Sequence, residues 1–190
     1  MTRSEVRVIG YGGQGVITLS KMIAYAAVVD NKEAVQTEAY GPASRGGSCW
    51  AEVVLDDEEQ IEYPRAILPN YYIILSQAGA DRYGKKFCNK PEVISIIDPL
   101  TVDKWKVKKG KTYEIAAQQI AKEEFKVPVI ANILLLGAFT ELTGLISKKA
   151  AIETIKKFVP EKTYELNMRA FDRGIELAKE QKEKVSKENS

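Results

Sequence analysis

Residues 10–15 read Gly-Tyr-Gly-Gly-Gln-Gly, a GxGxxG turn set between the apolar run ending at Ile9 and the segment VITLSKMIAYAAVV, whose apolar positions recur at three and four. A chain that leaves a buried strand, turns within a few glycines and enters a buried helix has few folds open to it. The pattern predicts a Rossmann-like α/β fold, with a mostly parallel sheet flanked by helices. Gly10, Gly12, Gly13 and Gly15 permit the tight turn and bring bare backbone close to a ligand, with Gln14 among them. The free N–H groups and the helix dipole favour a phosphate there. The same glycines would also serve simple close packing of strand on helix, and spacing alone leaves both readings open.

Further strands are expected at residues 34–38, 48–55, 71–75 and 93–97, with a hairpin strand near Ile61 and Glu62. Short helices are expected at residues 78–83 and 115–125, and the lysine-rich WKVKKGKTY between them reads as a surface turn. The last third of the chain reads as helical, divided at Gly144 and Pro160, with Ser147 as an N-cap. Its first segment, residues 130–142, is apolar on almost every face and must be buried, either by this chain alone or against a partner. Beyond Ala178 the sequence KEQKEKVSKENS has almost no apolar face, so residues 179–190 are expected to fray into solvent. At 190 residues the chain suits one domain over residues 1–190.

Charge and residue usage narrow the chemistry. Twenty-eight basic and 26 acidic side chains leave a formal charge of +2, too small to draw nucleic acid or an anionic membrane surface. The longest apolar run, residues 129–139, falls short of the roughly 20 residues that a membrane span needs. The opening residues run straight into a strand, and Cys49 and Cys88 stand far apart, which predicts a cytoplasmic protein in a reducing compartment. There is no histidine and no CxxC pair. A histidine base, a histidine-ligated zinc and a self-contained cysteine-ligated iron–sulfur cluster are thereby excluded, and no metal site is expected. Val16 and Ile17 after Gly15 rule out a P-loop.

The glycine turn and Glu38, near the end of the second strand, admit an NAD-binding module as an alternative. Hydride transfer needs a proton donor, however, and none of the nine tyrosines has lysine four positions later. No catalytic residue is assigned to this chain. A second glycine-rich segment, residues 38–48, reads EAYGPASRGGS, and its lone Arg45 has the planar fork suited to a phosphate or carboxylate.

Gly-x-Gly-Gly-Gln-Gly, then Gln-Thr-x-x-Tyr-Gly-Pro-x-x-Arg-Gly-Gly, then Tyr63-Pro64 closely resemble the gamma subunit, or gamma domain, of 2-oxoacid:ferredoxin oxidoreductases. The resemblance continues through Asn132 with Leu136-Gly137-Ala138, Gly144-Leu145, and Asn167 with Ala170-Phe171 and Gly174, and so covers nearly the whole chain. Tyr40-Gly41-Pro42 followed by Arg45-Gly46 is most similar to the 2-oxoglutarate branch, with pyruvate next. The small subunit of indolepyruvate:ferredoxin oxidoreductase shares the first motif but resembles Gly-Met-x-Gln-Arg-Gly-Gly at the second.

The resemblance implies a non-autonomous subunit of a hetero-oligomer. Alpha and beta subunits, with delta as a further candidate, would hold thiamine diphosphate, magnesium and the iron–sulfur clusters. The complex would convert a 2-oxoacid, coenzyme A and oxidised ferredoxin or flavodoxin into acyl-CoA, carbon dioxide and reduced carrier. This chain would bind no cofactor alone but assist assembly and the seating of coenzyme A, with the pyrophosphate on the glycine turn. Gly10, Gly12, Gly13, Gln14, Gly15, Tyr40, Gly41, Pro42, Arg45 and Gly46 are the candidate site.

Overall fold

The computed structural model describes residues 3–40, 47–84, 92–105, 107 and 109–188, the side chains of Tyr40 and Glu188 excepted. Strand β1 (Arg3–Tyr11) leads through the glycine turn into α1 (Val16–Val29). Then follow β2 (Glu33–Tyr40), β3 (Ser48–Asp56), β4 (Tyr71–Ile74), α2 (Gln77–Tyr83), β5 (Val93–Ile97), β6 (Gly110–Glu114) and α3 (Ala117–Glu123). The chain closes with α4 (Ala131–Thr143), α5 (Lys148–Phe158) and α6 (Tyr164–Glu188). The strands form one sheet in the order β2-β3-β1-β4-β5-β6.

Strands β1, β4, β5 and β6 pair in parallel, whereas β3 lies antiparallel to both β1 and β2. Since β1 and β2 both oppose β3, five strands point one way. The expected mostly parallel α/β architecture is therefore present, with one reversed strand inserted between β2 and β1. Period-two alternation assigns the two faces. Val6 and Val8 of β1 and Tyr71 and Ile73 of β4 join the larger core with α1, α4, α5 and α6. Ile9, Tyr72 and Ile74 point the other way, onto Ala80 of α2, Val102 and Trp105.

The apolar helix α4 is buried within this chain, with Leu134, Leu136 and Ala138 wholly inaccessible and Leu135 nearly so. It needs no partner to cover it. Its neighbour α6 crosses at a point of backbone contact: a Cβ on Gly137 would strike the Phe171 carbonyl oxygen, and one on Gly174 would strike that of Leu134. The predicted Ser147 cap of α5 is present, its hydroxyl accepting from Ala150 N at 3.0 Å.

Three expectations need correction. Residues near Ile61 and Glu62 form no strand; the segment is instead tied down by side chains. Arg3 donates to the Tyr63 and Arg65 carbonyls, Glu5 accepts from Leu68 N, and Glu52 accepts from Arg65 and Ala66 N. These bonds do the work of a strand ladder. The lysine-rich turn contains edge strand β6, where Tyr113 alone is buried, and Trp105 ahead of it packs 5.4 Å from Tyr72. One inward residue among lysines is too faint a pattern to read as a strand. Finally, α6 does not end near Ala178 but continues to Glu188. Lys182 bonds the Glu141 carboxylate at 2.9 Å, Gln181 accepts from Glu114 N at 3.2 Å, and Val185 packs on the core.

Replacing Gly174 with Val should cost about 3 kcal/mol or more, because the intruding atoms meet backbone that cannot yield. Ala at Gly144, which has open space and only its φ of 64° to contend with, should cost about 1 kcal/mol. Urea unfolding of both variants measures the difference, and near-equal midpoints would show that α4 and α6 can separate freely.

Candidate functional site

Two motifs meet at the end of β1. Tyr11 is paired with Ser48 and Gly10 with Cys49, and the Gly12 N–H donates to the Gly47 carbonyl at 3.1 Å. The first glycine turn is thus hydrogen-bonded to the last residues of the second motif. Gln14 uses both ends of its amide: Oε1 accepts from Tyr11 N at 2.7 Å, and Nε2 donates to the Leu75 carbonyl at 2.9 Å. It fastens the turn to β1 and to the end of β4, which makes it a positioning residue. Gly15 caps α1 in the left-handed region with φ 75°, and a Cβ there would overlap the Asn132 amide. Gly13, with φ 101° and nothing within 4 Å of a Cβ position, leaves bare backbone facing open space.

Helix α1 follows β1 onto one face of the sheet, while α2 follows β4 onto the other. The two connections part between neighbouring parallel strands, and a crevice opens at their carboxyl ends, where ligands bind in open α/β sheets. Here it is a cleft of about 1020 Å³. One wall is the turn and the start of α1, whose first N–H groups have neither a capping side chain nor an acidic residue in the first turn. That end carries uncompensated partial positive charge. The rest includes Asp98 and Thr101 beyond β5, Gln118, Lys122 and Glu123 of α3, and Asn132 of α4.

Asp98 is wholly buried and Asn132 is 6% exposed. Burial pushes the Asp98 carboxyl above the usual carboxylate range, opposed in part by backbone N–H groups of Leu100 and Gln118. Asp98 Oδ2, Asn132 Oδ1 and Gln118 Nε2 have no partner within the protein. Such groups are costly to leave unmet, and all three residues line the cleft. Cys49 also lines the cleft as a free, buried thiol whose pKa burial raises.

Of the sequence-predicted residues, Gly10, Gly12, Gly13, Gln14 and Gly15 form one turn, and its residues from Gly12 to Gly15 line the cleft. The backbone of Tyr40 pairs with Cys49. Gly41, Pro42, Arg45 and Gly46 lie outside the described residues, as does Cys88. Glu38 does not serve as the dinucleotide reading requires: β3 separates its strand from β1, and its carboxylate is 3.5 Å from Lys21 Nζ. Sequence reasoning assigned no site role to Asp98, Gln118, Lys122 or Asn132. An Asp-Pro pair after an apolar strand and an asparagine inside an apolar helix were the available signals. Among the described residues no group of three or more Asp, Glu, Cys or His side chains is placed to hold a metal, and no helix is long and apolar enough to cross a membrane.

Residues 5–177 match the model of the family described as pyruvate ferredoxin/flavodoxin oxidoreductase. The chain belongs to this family. 2-Oxoglutarate synthase subunit KorC of Methanocaldococcus jannaschii is 42% identical over 179 residues, covering 94% of this chain and 95% of the relative. Pyruvate synthase subunit PorC of Methanothermobacter marburgensis is 29% identical, covering 87% and 92%. The gamma subunit of a keto/oxoacid ferredoxin oxidoreductase from Geobacter sulfurreducens PCA superposes with a TM-score of 0.83 at 34% identity, covering 95% and 99%. The 2-oxoglutarate:ferredoxin oxidoreductase of Magnetococcus marinus, solved with 2-oxoglutarate, coenzyme A and succinyl-CoA bound, gives a TM-score of 0.80 at 25% identity. It covers 94% of this chain, which spans 31% of that longer one. The chain is a gamma-type subunit of this oxidoreductase family, as its motifs led us to expect.

Asp98→Asn should raise stability relative to the parent at neutral pH. A buried acid with a raised pKa contributes stability when protonated and loses it as pH rises through that pKa, whereas asparagine is uncharged throughout. Thermal unfolding from pH 4 to 8 should therefore show the parent losing ground to the variant with rising pH. Parallel profiles would mean that Asp98 is not buried as an acid.

Proposed function

We propose that this chain is the gamma subunit of a 2-oxoglutarate:ferredoxin oxidoreductase, where it supports assembly and seats coenzyme A against its glycine turn. The observation that carries the reading is the junction of the two motifs through Gly12 and Gly47, beside an uncapped helix N-terminus that opens on a cleft. Coenzyme A suits these residues. Its phosphates need N–H groups and positive charge, for which bare backbone, the dipole of α1 and Lys122 are at hand in the cleft, and Arg45 is the second motif's candidate for a further charge. Greater identity to the 2-oxoglutarate synthase subunit than to the pyruvate synthase subunit favours the five-carbon substrate. The coenzyme A and succinyl-CoA bound in the Magnetococcus enzyme support the acyl acceptor.

In this reading the chain, one domain over residues 1–190, works in the cytoplasm with alpha and beta subunits and with delta where one is present. Thiamine diphosphate with magnesium, held by the partners, supplies the decarboxylation chemistry, and their iron–sulfur clusters carry electrons to ferredoxin or flavodoxin. This chain's own residues hold and orient the thioester-forming substrate. Gln14 keeps the turn rigid so that its N–H groups are already aimed.

Purified alone, the chain should reduce no viologen dye when given thiamine diphosphate, 2-oxoglutarate and coenzyme A, and should gain activity only with its partners. In the assembled enzyme, Arg45→Ala should raise the KM for coenzyme A about tenfold to a hundredfold, the loss of a hydrogen bond to a charged group. The KM for the 2-oxoacid should hardly move, and Lys109→Ala should change neither. An unaltered coenzyme A constant in an intact Arg45→Ala complex would leave this subunit with assembly alone.

A further inference from the structure

Since α4 is buried by this chain itself, whatever joins the chain to other subunits lies elsewhere on its surface. Of the large apolar side chains left in solvent, Leu100 and Val129 flank the cleft, and Tyr25 and Phe158 rest edge-on against each other at 5.6 Å. A separate group stands between β3 and β4, where Tyr63, Ile67 and Leu68 are 53%, 55% and 46% exposed within six residues. Their backbone is held from the sheet. Arg3 donates to the carbonyls of Tyr63 and Arg65 and Arg7 to that of Ala66, while Glu52 and Glu5 accept from the N–H groups of Ala66 and Leu68. Single apolar residues at a surface need no account, but a ledge fastened by ions so that its apolar side chains stay in solvent does. Backbone that is already fixed has little freedom to lose on binding, which lowers the entropic cost of docking.

The rim of this ledge carries charge of one sign. Residues 56–62 read DDEEQIE, five acids with no base among them. Asp56 turns the chain by accepting from Glu58 N and Glu59 N, both at 3.1 Å, and its strand partner is Arg3, the residue that grips Tyr63 and Arg65. The acidic turn and the apolar ledge thus meet at Arg3. Asp57 is paired with Lys32 at 2.7 Å, whereas Glu58, Glu59 and Glu62 take part in no ion pair among the described residues. An apolar centre with a charged rim is the anatomy of a protein interface, and unpaired acids on that rim select a cationic partner. Two copies of this chain would bring like charges together. We propose that Tyr63, Ile67 and Leu68 are the centre of the surface by which this chain docks onto a partner subunit that sets Lys or Arg side chains around an apolar hollow. The inference rests on the reading of the chain as a subunit of a larger oxidoreductase, and it names the face by which the chain joins. That face lies at the amino-terminal end of β1, and the cleft lies at its carboxyl end.

The test is association of the full chain with its cognate alpha–beta pair, followed by surface plasmon resonance at low and high salt. Ile67→Lys should weaken association about a hundredfold and Tyr63→Ala about tenfold. Circular dichroism and the thermal midpoint of each variant should match the parent, because both side chains stand largely in solvent. Replacing Glu58, Glu59 and Glu62 together with Lys should slow association about tenfold at low salt, and the loss of rate that the parent shows on adding salt should vanish or reverse. Undiminished association of folded Ile67→Lys and Tyr63→Ala would overturn the proposal while leaving the chain a subunit that joins by another face. An unaltered rate in the triple Glu→Lys variant would overturn the cationic partner. A parent chain that dimerises alone and becomes monomeric on Ile67→Lys would overturn it in favour of a second copy. Failure of the parent chain to join the alpha–beta pair at all would overturn both the proposal and the reading on which it rests.

Discussion

Where α4 meets α6, the place of a side chain on Gly137 is taken by the Phe171 carbonyl, and that on Gly174 by the Leu134 carbonyl. Such an approach leaves no room to slide, so the position of α4 is set along its length by one glycine pair. From that pair the first turn of α4 is carried to the glycine turn of β1, where Asn132 presses on Gly15. The cleft wall is thus built from the core outward. A helix apolar all round is ordinarily a matter of stability alone; here Asn132 in its first turn also lines the cleft.

The reversed strand β3 has consequences for recognition. In a dinucleotide-binding sheet the second strand lies beside the first and brings its terminal acid to the ribose. With β3 inserted, β2 is two strand spacings from β1, roughly 10 Å, and Glu38 is occupied by Lys21. What arrives beside the turn instead is the beginning of β3, with Gly47, Ser48 and Cys49. The same insertion that removes the nicotinamide-type acid joins the two glycine motifs.

The face of the sheet opposite α4 is organised by charge. Glu52, 1% exposed, accepts from Arg7, Arg65 and Ala66 N, and Glu5 accepts from Arg3 and Leu68 N. Removing one partner of such a buried ion pair would leave an uncompensated charge inside the protein, so the pairs hold their segments firmly. In this chain they shape the segment between β3 and β4, which lacks a strand ladder of its own.

Much of the fold was readable because its signals are local. A glycine turn between an apolar strand and a helix, Ser147 ahead of α5 and the nearly all-apolar segment at residues 130–142 each act within a few residues. Family membership was readable for the same reason, since the two glycine motifs and the later Asn132, Gly137 and Gly174 stand in the sequence itself. The reversal of β3, the edge strand β6 and the docking of α6 past Ala178 were not, because each depends on what lies across the sheet or beside the helix. Sequence alone determined that a glycine turn joins a strand to a helix at residues 10–15. Only the tertiary structure decided that Asp98, Gln118 and Asn132, from three separate elements, share its cleft. An unmet hydrogen bond is a property of surroundings, and surroundings come into being only when distant segments are packed together.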